Sequence, residues 1–83
     1  MLSTPKGVRL DPSSPISALG SLTRREMQVF LILARGLTVR QCAQRLGVSE
    51  STVDNHKVRL MKKVRVHRSI ELTWLAIREG LLA

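Results

Sequence analysis

A chain of 83 residues with 43% hydrophobic content has room for one small domain that buries only about 60% of its unfolded surface, so its stability must be modest. Its single cysteine, Cys42, rules out an internal disulfide and a cysteine-rich zinc site. Fourteen Lys and Arg against six acids leave a formal charge of +8, which favours a polyanionic partner, either nucleic acid or an acidic membrane surface.

No apolar run reaches the roughly 18 residues that cross a bilayer, and no signal-peptide pattern is present, so a soluble protein in a reducing cytoplasm is expected. Pro5, Pro12 and Pro15 all fall in residues 1–20, which show little hydrophobic periodicity and read as a flexible leader or the end of a linker. Lys6 and Arg9 within it could touch a phosphate. The packed domain is expected over residues 21–83.

Thr23-Arg24-Arg25-Glu26 has the form of a capping box and opens a helix over about residues 24–35. Leu22 can staple against Met27, and Phe30, Leu33 and Ala34 continue a buried stripe with Val29 or Met27 before Gly36 stops the helix. The stretch 28–33 is apolar enough for a strand, but the capped start and glycine stop favour helix. Thr38 with Gln41 repeats the box and opens a shorter helix over residues 39–46, with Cys42, Ala43 and Leu46 facing in and Gly47 as its stop.

Ser49 caps a third helix over about residues 50–64. On a wheel of about 100° per residue, Val53, Leu60 and Val64 fall on one side with His56 at its edge, and Ser51, Asn55, Val58, Arg59 and Lys62 fall opposite. Lys57 lands near the apolar side, where its stem can reach around the edge. Two helices separated by a short glycine-containing turn, the second of them basic, have the form of a helix-turn-helix whose second helix lies in the major groove of DNA.

A fourth helix is expected over about residues 69–79, closed by Gly80 and the tail Leu81-Leu82. Leu72, Thr73, Ala76 and Ile77 are placed to turn toward the core. Ile70 and Trp74, together with Leu75, make an outward patch, and Ile70, Trp74 and Ile77 are the candidates for a homodimer contact. No strand is expected; the fold class is all-α, a compact four-helix domain.

Leu22-Thr23-x-Arg25-Glu26, Val29-Phe30, Ala34-x-Gly36-Leu37-Thr38, Ala43-x-x-Leu46-Gly47-Val48-Ser49, Thr52-Val53-x-x-His56, Lys63 to Val66, Glu71 and Gly80-Leu81-Leu82 follow one another without a gap. In these words the chain resembles the LuxR-type (GerE-type) helix-turn-helix output domain of bacterial transcription regulators, over about residues 21–82. The resemblance implies a third helix in the major groove and a fourth that carries a homodimer contact, usually behind a sensory or receiver domain. It places DNA-facing positions at Thr52, Asp54, Asn55, Val58 and Lys62, with Lys63 nearby, and gives His56 to a helix interface or a phosphate contact. The chain departs from the family pattern at Arg24 in place of a proline, Cys42 in place of a bulkier aliphatic, Arg65 in place of a helix-ending glycine, and Arg68-Ser69, where the usual arginine is shifted by one.

Phosphate contacts are expected from Lys57, Arg59, Lys62, Lys63, Arg65 and Arg40, and from amides and hydroxyls near Ser49, Ser51 and Thr52. Base reading is expected from Asn55 on an adenine edge, Val58 on a thymine methyl and Asp54 on a cytosine amine, although Asp54 has the alternative of bonding an arginine or the helix start. A sigma-factor-like DNA-binding domain and a protein-interaction module that has kept the fold are the rival readings. His56 and His67 have no cysteine or paired carboxylate at ligand spacing, so no catalytic role, metal or cofactor is expected.

Overall fold

The computed structural model describes residues 19–82; most of the expected leader, with its prolines, Lys6 and Arg9, lies outside the described residues. Leu19 and Gly20 are helical, and Leu19 packs against the core while its carbonyl accepts from the Leu22 amide at 3.2 Å. From there the chain forms α1 (Arg24–Ala34), α2 (Val39–Leu46), α3 (Glu50–Val64) and α4 (Ser69–Arg78), with no strand among the described residues.

Each start is set by a local side-chain bond. Thr23 Oγ1 accepts from the Glu26 amide at 3.1 Å and Glu26 Oε1 accepts from the Thr23 amide at 2.9 Å, a reciprocal box that satisfies two otherwise unpaired donors. Thr38 and Gln41 repeat it at α2 with the same pair of distances, 3.1 and 2.9 Å. At α3, Ser49 Oγ accepts from the Thr52 amide at 3.1 Å. At α4 the N-cap is Arg68, whose guanidinium has no acceptor, so Glu71 does the work alone by reaching back to the His67 and Arg68 amides at 2.7 and 2.9 Å.

The core is a single cluster. α1 supplies Val29, Phe30, Leu33 and Ala34, α2 supplies Cys42 and Ala43, α3 supplies Val53, Leu60 and Val64, and α4 supplies Leu72, Leu75 and Ala76. α1 is the central member: it packs against both α3 and α4 and also touches α2, which lies on α3. Leu22, Met27 and Leu46 sit half-buried at the margin of the cluster. The Thr73 hydroxyl donates to the Ala34 carbonyl at 2.6 Å, tying the middle of α4 to the last turn of α1.

Two expectations for α4 are corrected by this packing. Leu75, placed in the outward patch from the sequence, is buried, and Ile77, placed toward the core, is 52% exposed. The helix carries apolar residues around most of its circumference, so its pattern left the roll about its axis open. Contact with α1 fixes that roll with Leu72, Leu75 and Ala76 inside.

The exits are equally specific. Gly47 ends α2 at φ 69°, with the Val48 amide bonded back to the Ala43 carbonyl at 3.1 Å, and Gly80 follows α4 at φ 76°, with the Leu81 amide on the Ala76 carbonyl at 2.8 Å. α3 ends the same way, with the Val66 amide on the Met61 carbonyl at 3.1 Å, but the left-handed residue is Arg65, at φ 60° and ψ 45°. An L-residue in this region costs roughly 1–2 kcal/mol, part of which glycine would return as unfolded-state entropy. Arg65→Gly should therefore raise the unfolding free energy by about 0.5–1 kcal/mol in urea titrations; a loss of stability would mean that the arginine side chain stabilises this exit.

Candidate nucleic-acid interface

Because Val53, Leu60 and Val64 are buried, the opposite side of α3 faces away from the protein. Ser51, Asp54, Asn55, Val58, Arg59 and Lys62 are all exposed there, Val58 at 57% despite being aliphatic. Thr52 and Lys57 are half-buried at the margins of this face, and Ser49 is exposed at its N-terminal end. The wheel derived from the sequence and the observed roll of α3 agree at Ser51, Asn55, Lys57, Val58, Arg59 and Lys62.

At the start of the helix three hydroxyls gather: Ser49 Oγ lies 3.2 Å from Ser51 Oγ and 2.9 Å from Thr52 Oγ1. Each retains lone pairs or a rotatable proton, and they stand at the positive end of the α3 dipole, where an anionic oxygen is favoured. Further along, Lys57, Arg59 and Lys62 enter no ion pair among the described residues. Their charge is therefore available to an external anion. Arg65, exposed at the helix exit, and Arg40, exposed on the first turn of α2, extend the cationic surface beyond α3.

A shallow depression beside this face is lined by Val58, Met61, Lys62, Arg65, Val66 and His67. Met61, Val66 and His67 were not among the sequence-derived site residues. Met61 was findable, since residues 58, 61, 62 and 65 recur at helical spacing. Val66 and His67 follow the helix end, where no periodicity applies.

Lys63 is placed differently from the expectation. Its Nζ donates to Glu26 Oε1 at 2.7 Å and to the Ser21 carbonyl at 3.2 Å, joining the end of α3 to the start of α1. Glu26 is only 3% exposed, a buried carboxylate that also accepts from the Thr23 amide. The Lys63 hydrogen bond holds its carboxyl below the ordinary value against the upward push of burial, with Thr23 assisting. Lys63 thus ties the end of α3 to the start of α1, a contact that Lys57, Arg59 and Lys62 do not make.

His56 is half-buried, with Nδ1 enclosed and without a hydrogen-bond partner, which suits a residue packed between helices. Burial pushes the Cys42 thiol up, only partly opposed by Arg25, so it is a poor nucleophile. No group of three or more His, Cys, Asp or Glu among the described residues could hold a metal ion, and none of the described helices is long and apolar enough to cross a membrane. On α4, Ile70, Trp74 and Ile77 are exposed and, with Leu81, follow one another along one side of the helix and onto the tail.

Comparison with known proteins agrees with this geometry. The profile of the family described as "Bacterial regulatory proteins, luxR family" matches residues 20–76. The response regulator UvrY of Escherichia coli K12 is 36% identical over 73 residues, 88% of this chain and 34% of that protein. The transcriptional activator protein ExaE of Pseudomonas putida is 47% identical over 64 residues, 77% of this chain and 30% of ExaE. The response regulator GacA of Pseudomonas aeruginosa is 31% identical over 71 residues, 86% of this chain and 33% of GacA. The chain therefore spans about a third of the length of these relatives. No solved structure matches it.

The Glu26–Lys63 tie yields a test with a definite sign. Because the Glu26 carboxyl is depressed in the folded state, its contribution is intact above the unfolded value and is lost as pH falls through the folded one. Glu71, held down by the His67 and Arg68 amides, has the same sign, so Glu26→Gln should remove part and not all of the acid-side loss of stability. Lys63→Met should lower the unfolding free energy at neutral pH by about 1–3 kcal/mol, the range for a charged hydrogen bond, and leave the salt dependence of DNA affinity unchanged. A salt slope reduced by about one unit would instead put Lys63 on a phosphate.

Proposed function

The chain belongs to the luxR family of bacterial regulatory proteins, and on that premise we propose that it binds double-stranded DNA sequence-specifically to regulate transcription, with α3 seated in the major groove. The observation that carries this reading is the division of α3: three aliphatic anchors in the core and, opposite them, an uncovered face of amide, hydroxyl, methyl and unpaired cations. A helix of this diameter fits the major groove, and those groups are the ones that meet base edges and phosphates there. Two similar proteins are named as response regulators and one as a transcriptional activator, which supports the role of a transcriptional output domain in a longer regulator.

Within this proposal Lys57, Arg59, Lys62 and Arg65 neutralise phosphates, and the Ser49, Ser51 and Thr52 hydroxyls with the first α3 amides fix the register on the backbone. Asn55 offers the paired donor and acceptor that match an adenine edge, and Val58 offers a methyl surface to thymine. Asp54, exposed and without an ion-pair partner among the described residues, suits a cytosine amine and repels phosphate, so it acts in selection rather than affinity. His56 supports the helix from its inner edge.

The apolar strip of Ile70, Trp74 and Ile77 is proposed as a homodimer contact. Two copies joined along α4 would present two α3 helices to half-sites about 10 base pairs apart, on a pseudo-palindromic target. Selection of bound duplexes from a random pool would report motif, symmetry and half-site spacing together, and enrichment of no motif would defeat the sequence-specific reading.

Three variants separate the roles. Asn55→Ala should weaken binding to the selected site by about 1–3 kcal/mol and spare random duplex; an equal loss on both contradicts base reading. Lys62→Ala should weaken binding on all sequences and lower the salt slope by about one unit. Trp74→Ala should shift the monomer–dimer balance in sedimentation toward monomer. A chain monomeric at high concentration and unaffected by Trp74→Ala removes the dimer.

A further inference from the structure

α1 carries a second apolar face that the core does not use up. Leu31 and Ile32, between Gln28 and Arg35 at helical spacing, are only half-buried, and across from them stand Leu37 and Leu46, also half-buried. Together with Arg45 these residues line an open groove of about 310 Å³. Its floor is aliphatic and it has an arginine from each side, Arg35 after α1 and Arg45 on α2. Both arginines are exposed and neither meets a carboxylate among the described residues.

From this we propose that the groove between α1 and the end of α2 is a docking site for an amphipathic helix of a partner protein, with acidic residues flanking its apolar stripe. The floor and the charges select the occupant together. DNA would leave the aliphatic floor uncovered, since a phosphate backbone has no apolar stripe to place there. A segment with apolar residues at i, i+3, i+4 and i+7 covers it, and carboxylates beside that stripe meet Arg35 and Arg45. Residues 1–18 of this chain have the wrong sign, with Lys6 and Arg9 against Asp11. A second copy that set this groove against its own counterpart would bring Arg35 and Arg45 onto the same two arginines, like charge against like.

None of the residues lining the groove belongs to the DNA-facing set on α3 or to the α4 strip, so the site can fill while both are engaged. The inference does not rest on the assignment of α3. It gives the domain a way to hold a partner protein on a surface apart from α3 and the α4 strip.

The test uses the full chain and a fluorescent helical peptide with leucines at i, i+3, i+4 and i+7 and glutamates on both flanks, read by anisotropy and by amide chemical-shift mapping. The acidic peptide should bind, perturbing amides of Leu31, Ile32, Leu37 and Leu46, while the same peptide with lysines for glutamates should not. Arg35→Glu combined with Arg45→Glu, both solvent-facing changes, should weaken the acidic peptide by about tenfold or more as two attractions become repulsions, and should leave the circular dichroism spectrum and the preference for the selected DNA site over random duplex near their starting values. No saturable binding, binding unaffected by the double reversal, shifts confined to α3 or α4, or self-association through this groove in sedimentation would each overturn the proposal.

Discussion

The outward face of α3 exists because three aliphatic side chains on its other side reach no solvent. Val53, Leu60 and Val64 form one narrow stripe that rests on the core supplied largely by α1. Each such side chain is worth roughly 1.5–3 kcal/mol when buried, so rolling α3 by one residue would expose part of that stripe and press Asp54 or Arg59 toward a core with no partner for it. Hydrophobic burial thus fixes the roll of the helix. Its ends are fixed by polar means: Ser49 at the start, and near the finish the Lys63 ammonium on Glu26 and the Ser21 carbonyl.

That division explains which parts of the structure were legible in the sequence. The Thr23–Glu26 and Thr38–Gln41 boxes, the Gly36 and Gly47 stops and the Ser49 cap are written within four or five residues, and all of them appear where the sequence placed them. The roll of α3 was legible too, because its apolar residues are few and fall on one stripe. α4 defeated the same reasoning, since Ile70, Leu72, Trp74, Leu75, Ala76 and Ile77 surround much of a ten-residue helix. Only contact with α1, including the Thr73 bond to the Ala34 carbonyl, selects between Leu75 and Ile77 for the interior.

The Lys63 bond to Glu26 was hidden from the sequence for a different reason. Along α3 Lys63 is one cation among several, and its partner Glu26 stands 37 residues earlier in the chain. Glu26 itself is legible as the third member of a capping box, but nothing local says that the same carboxylate is buried and takes a second, charged donor. The exit at Arg65 is intermediate: its place at the helix end was legible, and the choice between running on and turning left-handed was decided by the return bond from the Val66 amide to the Met61 carbonyl. The backbone accepts strain at one residue so that α3 stops where α4 can return to α1.

A domain this small cannot hide all its apolar residues in one core, and where the remainder lie distinguishes the surfaces. Val58 stands alone among Asn55, Arg59 and Lys62, a single methyl-bearing group in a cationic, hydrogen-bonding field, which suits a duplex whose edges are mostly polar. Ile70, Trp74, Ile77 and Leu81 run together, with Arg78 the charged residue nearest the middle of the strip, so like can pair with like. The groove below Leu31 and Ile32 combines an aliphatic floor with an arginine from each side. α1 makes the three compatible: its core stripe supports α3 and α4, and its outer stripe forms the groove wall with Leu46 of α2. That double use is why the sequence from Gln28 to Leu33 is apolar enough to pass for a strand, although its caps make it a helix.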